Sequence, residues 1–296
     1  MITCKLQGGL GNQLFQIFTT IAYALRYNNS FFFLNNHQLG NGENGVIIRY
    51  TYWDSFFKEL TPFLKNINQI PQLMFIREEG FNYIELPENL DKNYGTMLVG
   101  YFQSPLYFKK YKEGICKLIK INLKKFIVRN KVKDEIDFDN DNIISMHFRL
   151  GDYKKYPDIH PILSNEYYVN ALTSILIKQQ TNTLEYNTIQ YNQKVLYFCE
   201  NEDLSEVEST ITHLKTKFPF LKFQRANPLL SDWEQMLLMS LCNHNIIANS
   251  TFSWWGAYLN DNPEKIVCYP EHWFMPEVKK DVTDLFEEDW TKIPFN

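Results

Sequence analysis

The stretch Ile143-Ile144-Ser145-Met146-His147-Phe148-Arg149-Leu150-Gly151-Asp152-Tyr153 decides the fold class, because an apolar run ends abruptly in His, Arg, Gly and Asp. A short apolar run reads as a buried strand, and ligands in α/β sheets sit where such strands end. Side chains repeat every second residue along a strand, so His147 and Arg149 fall on one face. Arg149 carries a planar guanidinium suited to bidentate contact with phosphate. Gly151 permits a tight turn or a close ligand approach. The plain alternative is a strand-end Arg paired with Asp152.

Outward from this stretch the second half alternates cleanly. Strands are expected at 143–150, 195–199, 221–224, 246–248 and 265–269, separated by helices at 164–180, 204–217 and 233–242. Alternation of this kind predicts parallel strands with crossover helices, a Rossmann-like half. The first half is less regular, with strands near 2–6, 31–34 and 97–102 and helices near 14–27 and 106–126. Residues 40–93, rich in Asn, Pro and aromatics, read as loops and short helices beside a cleft. The polar run 179–193 reads as an inserted surface loop.

A second cluster, Asn249-Ser250-Thr251-Phe252-Ser253-Trp254-Trp255-Gly256-Ala257-Tyr258, follows the apolar Ile246-Ile247-Ala248. A strand passing through hydroxyl and amide residues into a helix presents free N–H groups and the positive end of the helix dipole, which suit an anion. An ordinary N-cap by Ser250, Thr251 or Ser253 is the alternative, and core packing is the simpler role for Trp254, Trp255 and Tyr258. A third cluster, Gly8-Gly9-Leu10-Gly11-Asn12-Gln13-Leu14-Phe15-Gln16, lies between the first strand and the first helix. It is not a dinucleotide fingerprint, since Leu14 stands where the third glycine belongs and Phe31-Phe32-Phe33 where the acid belongs. Gly9 and Gly11 instead admit close backbone approach to a sugar or phosphate, and Asn12 and Gln13 supply amides that both donate and accept.

The chain has 296 residues with 45% hydrophobic and 22% charged, enough for two α/β domains and a sizeable core. Its net charge of -4 argues against general nucleic-acid binding, so any anion must be met by local groups. No apolar run reaches the roughly 20 residues of a membrane span. The start lacks the basic and apolar regions of a signal peptide, and a cytoplasmic location is expected. Cys4, Cys116, Cys199, Cys242 and Cys268 have no paired spacing and read as free thiols. Asp137-Phe138-Asp139-Asn140-Asp141-Asn142 fails as a calcium loop, because Asn142 replaces the turn glycine and Phe148 the bidentate acid. Solvated charge before a strand is the simpler reading.

In this order and spacing, the segments 8–16, 147–153 and 232–258 resemble glycosyltransferase family eleven, the α-1,2-fucosyltransferases, and the likeness spans nearly the whole chain. His-x-Arg-x-Gly-Asp-Tyr is specific to fucosyltransferases of this broad group, and Asn-Ser-Thr-Phe-Ser-Trp-Trp-Gly-Ala is more specific still. The resemblance implies a GT-B-like fold of two Rossmann-like α/β halves facing a cleft, the N-terminal half the more irregular. Residues 1–135 would form the acceptor-side domain and 136–296 the GDP-fucose-binding domain, with the last segment packing back on the first half. The implied activity is inverting, metal-independent transfer of L-fucose from GDP-β-L-fucose to a sugar hydroxyl, O2 of a terminal galactose, by a soluble microbial or viral form of the enzyme. GDP-fucose is then a co-substrate, a galactose-terminated glycan the other partner, and no metal or other cofactor is expected. A non-catalytic glycan- or nucleotide-binding module, or a fucosyltransferase of different linkage, stands as the alternative.

The resemblance also distributes roles. Donor binding falls to His147, Arg149, Asn249, Ser250, Thr251, Phe252 and Ser253, with Asp232 a guanine candidate or a helix N-cap. Gly9, Gly11, Asn12 and Gln13 fall on the donor-sugar or acceptor side. Arg149 would stabilise the departing diphosphate. Asp152, Asp158 and His160 are candidates for an assisting base, and Asp152 equally for orienting Arg149. Glu200-Asn201-Glu202-Asp203 departs from the Ser-Asp-Asp that family members often carry there.

Overall fold

A computed structural model describes residues 1–40, 48–88, 90, 91, 93–182 and 193–295. They form two compact units, one of residues 1–123 with 280–287 and one of residues 124–279 with 288–296. Residues 124–135, grouped above with the first half, thus belong to the second unit. Most of the surface loop expected at 179–193 lies outside the described residues, as does part of the 40–93 region.

In the first unit, β1 (Ile2–Cys4) leads into α1 (Leu10–Arg26). The short strands β2 (Phe33–Leu34), β3 (Gln38–Leu39), β4 (Arg49–Tyr50) and β5 (Leu64–Lys65) follow. Then come β6 (Leu73–Arg77) and β7 (Gly95–Val99). The main sheet has the order β1-β7-β6, all parallel. β6 was not expected, because its side chains are half-buried or exposed at a sheet edge and show no apolar alternation. β2 and β5 pair in parallel, β3 and β4 antiparallel. α1 begins four residues before its expected start, at Leu10 rather than Leu14, and buries nearly its whole circumference. The single helix expected over 106–126 is instead α2 (Lys112–Leu118) and α3 (Ile121–Lys131), interrupted where Lys120 takes φ +54°. Residues 280–287 join this unit through polar contacts: Asn82 donates to Asp281 at 2.8 Å, and the Tyr83 amide to Asp284 at 2.8 Å.

The second unit carries β8 (Asn142–His147), α4 (Asn165–Asn182), β9 (Gln193–Phe198), α5 (Leu204–Lys217) and β10 (Lys222–Arg225). The chain continues through α6 (Asp232–Met239), β11 (His244–Ile246), α7 (Thr251–Tyr258), β12 (Val267–Pro270) and β13 (Thr291–Ile293). All six strands are parallel, in the order β10-β9-β8-β11-β12-β13. Parallel central strands are buried on both faces; five of the six residues of β8 are buried, Asn142 being the exception. β13 was not anticipated, since Thr291-Lys292-Ile293 is too short to show a period. The chain lays β9 and β10 to one side of β8, then returns to place β11 on the other. That reversal is a topological switch point, and the carboxyl ends of β8 and β11 beside it are where open α/β sheets bind their ligands.

A buried polar stitch fixes β11 in place. Asn245 Nδ2 donates to Ser145 Oγ at 2.7 Å and to the Met239 carbonyl at 2.9 Å, while Asn260 donates to Asn245 Oδ1 at 2.8 Å. α7 is anchored by Trp254, Trp255 and Tyr258, which are fully or almost fully buried. α6 and α7 approach so closely that a Cβ on Gly256 would lie 2.7 Å from Met239 Cβ and 3.3 Å from the Met236 carbonyl oxygen. We expect Gly256→Ala to lower stability by about 1–3 kcal/mol, the usual cost of overpacking, read as a lower urea midpoint at constant slope. Gly114→Ala, on a helix with nothing within 4 Å of the added methyl, should leave the midpoint level or raise it. Equal midpoints for the two variants would contradict the close α6–α7 packing.

Candidate active site

β8 ends at His147, two residues before Arg149, so Arg149 sits on the connection beyond the strand. Its side chain is only 20% exposed and is gripped from two sides. One guanidinium nitrogen bonds Asp152 at 2.5 Å, the other bonds Glu200 from the end of β9, and the ring of Tyr153 lies beneath at 5.3 Å. Burial opposes the charge on Arg149, but the two carboxylates outweigh it and raise its pKa further above the ordinary arginine value. Both readings of the stretch 143–153 thus meet in one residue: Arg149 is an ion-paired arginine, and its fork stands at the switch point. Glu200 was missed as a partner because it lies 51 residues away in sequence. The available signal was a carboxylate immediately after the neighbouring strand.

The turn after Arg149 is fixed by β9 as well. Gly151 takes φ +28°, a conformation that favours glycine, and the Glu200 carboxylate lies against it, 2.7 Å from where a Cβ would stand. Its amide donates to Asp203 at 2.7 Å, and Lys154 bonds Asp203 at 2.9 Å and Glu206 at 2.5 Å. Asp203, almost fully buried, is a second positioning carboxylate, noted in the sequence only within the run Glu200–Asp203 and without its partners. Arg225, at the end of β10, donates to Asn201 at 2.6 Å and ties the third strand end to the second.

Across the switch point, Ser250 is the N-cap of α7 and accepts from the Phe252 amide at 3.4 Å. Thr251 and Phe252 are half-buried, whereas Ser253 is buried and donates to the Ser250 and Ala248 carbonyls. Asn249 donates to the Pro161 and Trp273 carbonyls at 3.0 and 3.4 Å, and its backbone carbonyl accepts from the Tyr153 hydroxyl at 2.8 Å. That last bond joins the β8 and β11 connections directly. The His147 ring lies 5.6 Å from the Phe252 ring. His147, Arg149, Asn249 and the start of α7 are therefore brought together. His147 Nδ1 and Asn249 Oδ1 are buried and lack hydrogen-bond partners, a cost that a ligand hydroxyl or N–H would relieve.

The base candidates separate. Asp152 is committed to Arg149, which favours its orienting role. His160 stacks on Tyr153 at 4.1 Å and lies 5.3 Å from the Phe274 ring, whereas Asp158 is exposed. Asp232 is not the cap of α6: Ser231 is, in a capping box with Glu234, and exposed Asp232 is the first helical residue. Asp137 accepts from the Asp139 and Asn140 amides, and Asp139 pairs with Arg129 at 2.6 Å, so the Asp run builds a turn before β8.

In the first unit, Gly8 at φ +76° is the conformationally demanding glycine; Gly9 is the N-cap of α1, and Gly11 lies inside the helix. Gln13 is fully buried, with its amide nitrogen spent on the Gly8 and Tyr50 carbonyls at 3.0 and 2.9 Å. Gln13 thus braces the loop through its amide nitrogen, while its buried Oε1 has no hydrogen-bond partner among the described residues. Asn12 accepts from Gln103 at 2.9 Å and is half-buried.

Burial, reinforced for His147 by Arg149, lowers the pKa of His147 to about 3, and burial lowers that of His244 to about 4. Both rings are neutral in the folded protein at pH 7, while the unfolded chain takes up protons near pH 6.5. Stability should therefore be complete above pH 6.5 and fall as the pH drops toward 4, by up to about 1.4 kcal/mol per pH unit for each histidine. Denaturant titrations at stepped pH on the parent and on His147→Gln should show a shallower acid slope for the variant. Identical slopes would mean that His147 is not held neutral.

The sequence model of Glycosyl transferase family 11 matches residues 1–294. The chain is 27% identical to the alpha-1,2-colitosyltransferase of Escherichia coli, with 99% of each chain covered. It is 25% identical to the galactoside 2-alpha-L-fucosyltransferase of Caenorhabditis elegans, covering 99% of this chain and 79% of that one. The solved structure of Escherichia coli ADP-heptose LPS heptosyltransferase II matches with a TM-score of 0.51 at 9% identity, over 99% of this chain and 89% of that chain, a likeness of fold alone. With the family match running essentially end to end over a GT-B-like fold, the chain belongs to glycosyltransferase family 11 and is a glycosyltransferase.

Proposed function

We propose that the protein transfers L-fucose from GDP-β-L-fucose to O2 of a terminal galactose, with inversion and without a metal ion. The observation that carries the donor half is the convergence of the Arg149 fork and the amino terminus of α7 at one switch point. The linkage and the sugar rest on relatives named for α-1,2 transfer of colitose and of fucose. A colitosyl donor is the second reading, supported by the 27% identical relative.

The chemistry follows from charge. As the bond between the sugar C1 and the diphosphate oxygen loosens, positive charge grows on the ring and negative charge on the leaving diphosphate. Arg149 is preorganised by Asp152 and Glu200, and the first amides of α7 are fixed by Trp254 and Trp255 in the core. Donors already in place stabilise the developing anion without reorganisation, which lowers the barrier more than it tightens ground-state binding. Diphosphate must compete with Glu200, the more exposed of the two carboxylates on Arg149. His147, held neutral, acts as a hydrogen-bonding group toward the donor and not as a second cation. Asn12 is assigned to the sugar or acceptor side, and Asp232 to the base of the nucleotide.

Turnover should be measured with GDP-fucose, GDP-colitose, UDP-galactose and ADP-heptose, each with and without EDTA, on galactose-terminated oligosaccharides. We expect transfer from GDP-fucose that survives EDTA; preference for a UDP or ADP donor, or loss of activity with the chelator, would overturn the assignment. Arg149→Lys should cut kcat by roughly 10²-fold or more, since a point charge cannot replace the fork. Glu200→Gln should instead tighten GDP binding, because it removes a charge that competes for Arg149. Weaker GDP binding by a folded Glu200→Gln protein would show that Glu200 supports the donor site instead of competing with it.

A further inference from the structure

Helix α3 buries two lysines beside Ile121 and Val128 and leaves a second apolar stripe outside. Lys124 and Lys125 are 4% and 7% exposed, whereas Leu123, Phe126 and Ile127 are 51%, 62% and 46% exposed. Lys125 is satisfied inside by the Leu259 carbonyl and by Asp261 at 2.6 Å, so its inward orientation is held by specific bonds. Leu123, Phe126 and Ile127 stand at i, i+3 and i+4 and share one face, where a soluble helix would carry charge. Phe126 is the most exposed of the chain's phenylalanines among the described residues.

The charge around this face is equally uneven. Residues 120–133, the helix and its immediate flanks, hold six of the chain's 30 Lys and Arg and none of its 34 acids, with Asp134 and Glu135 following, in a protein of net charge -4. Arg129 and Lys131 pair with Asp139 and Glu234, whereas Lys120 and Lys133, which flank the helix in sequence, are exposed beyond these pairs. An outward apolar stripe flanked by lysines matches a surface that is apolar within and anionic at its face. A second copy of the chain would bring a second set of lysines against the first, a like-charge arrangement that disfavours it as the occupant.

We propose that the α3 face docks on an anionic lipid bilayer, with Phe126 and Ile127 entering the headgroup boundary and the surrounding lysines meeting lipid phosphates. The proposal is independent of the donor assignment. Full-length protein should be sedimented with phosphatidylcholine vesicles with and without phosphatidylglycerol, at low and high salt, alongside light scattering for mass. We expect partition to the phosphatidylglycerol vesicles only, weakened by salt. Phe126→Ser with Ile127→Ser should reduce it at least about tenfold, since two exposed apolar side chains lose their burial. Lys120→Glu with Lys133→Glu should reduce it as well, and both variants should keep the parent's melting temperature and its turnover on a soluble oligosaccharide. No partition to anionic vesicles, or partition unchanged in both variants, would overturn the proposal. So would a dimer that the serine substitutions dissociate with no vesicle binding, which would give the face to a second copy.

Discussion

Everything in the second unit depends on the reversal of strand order beside β8. Because β9 and β11 flank β8 from opposite directions of chain travel, their connections diverge at the carboxyl edge, where open α/β sheets bind ligands. The connections after β8 and β11 are joined there through the Tyr153 hydroxyl and the Asn249 carbonyl. A guanidinium placed there keeps its charge only with counter-charges nearby, and Asp152 and Glu200 supply them. The same carboxylates that make Arg149 tolerable also fix its fork, so the stability of the buried cation and its readiness for an anion have one origin. A lysine at this position would satisfy the first requirement and not the second.

The second unit was largely legible because its strands are apolar runs punctuated by turn residues and its helices are capped by polar ones. The boundaries of α5 and the existence of five of six strands followed from that pattern alone. β13 and β6 did not: Thr291-Lys292-Ile293 is too short to show a period, and the apolar run Leu73-Met74-Phe75-Ile76 lies inside a region whose Asn, Pro and aromatic content reads as loop. The break between α2 and α3 was equally hidden, since Lys120 is not a residue that announces a left-handed backbone.

Within the site, residue type was readable and partnership was not. Arg149, His147 and the Ser250–Ser253 region stood out from local sequence, and the sheet topology brings them together. Glu200 and Asp203 needed the β8–β9 register, in which His147 is opposite Phe198, before their proximity to Arg149 and Gly151 could be seen. Gln13 illustrates the converse. An amide next to glycines reads as a ligand contact; the start of α1 at Leu10 turns its nitrogen inward to satisfy backbone carbonyls and leaves Oε1 buried without a partner among the described residues. The two apolar stripes of α3, one with Ile121 and Val128 and one with Leu123, Phe126 and Ile127, also lie in the sequence, yet propensity and composition cannot say which faces the core until packing chooses one.

The central claim is that the switch point between β8 and β11 holds the diphosphate of the donor. A crystal structure of the protein with GDP tests it most directly. The account predicts diphosphate oxygens within hydrogen-bonding distance of the Arg149 guanidinium and of backbone amides at the start of α7, with Glu200 moved off Arg149. A nucleotide bound elsewhere, or a diphosphate touching neither group while Arg149 stays locked between Asp152 and Glu200, would contradict it.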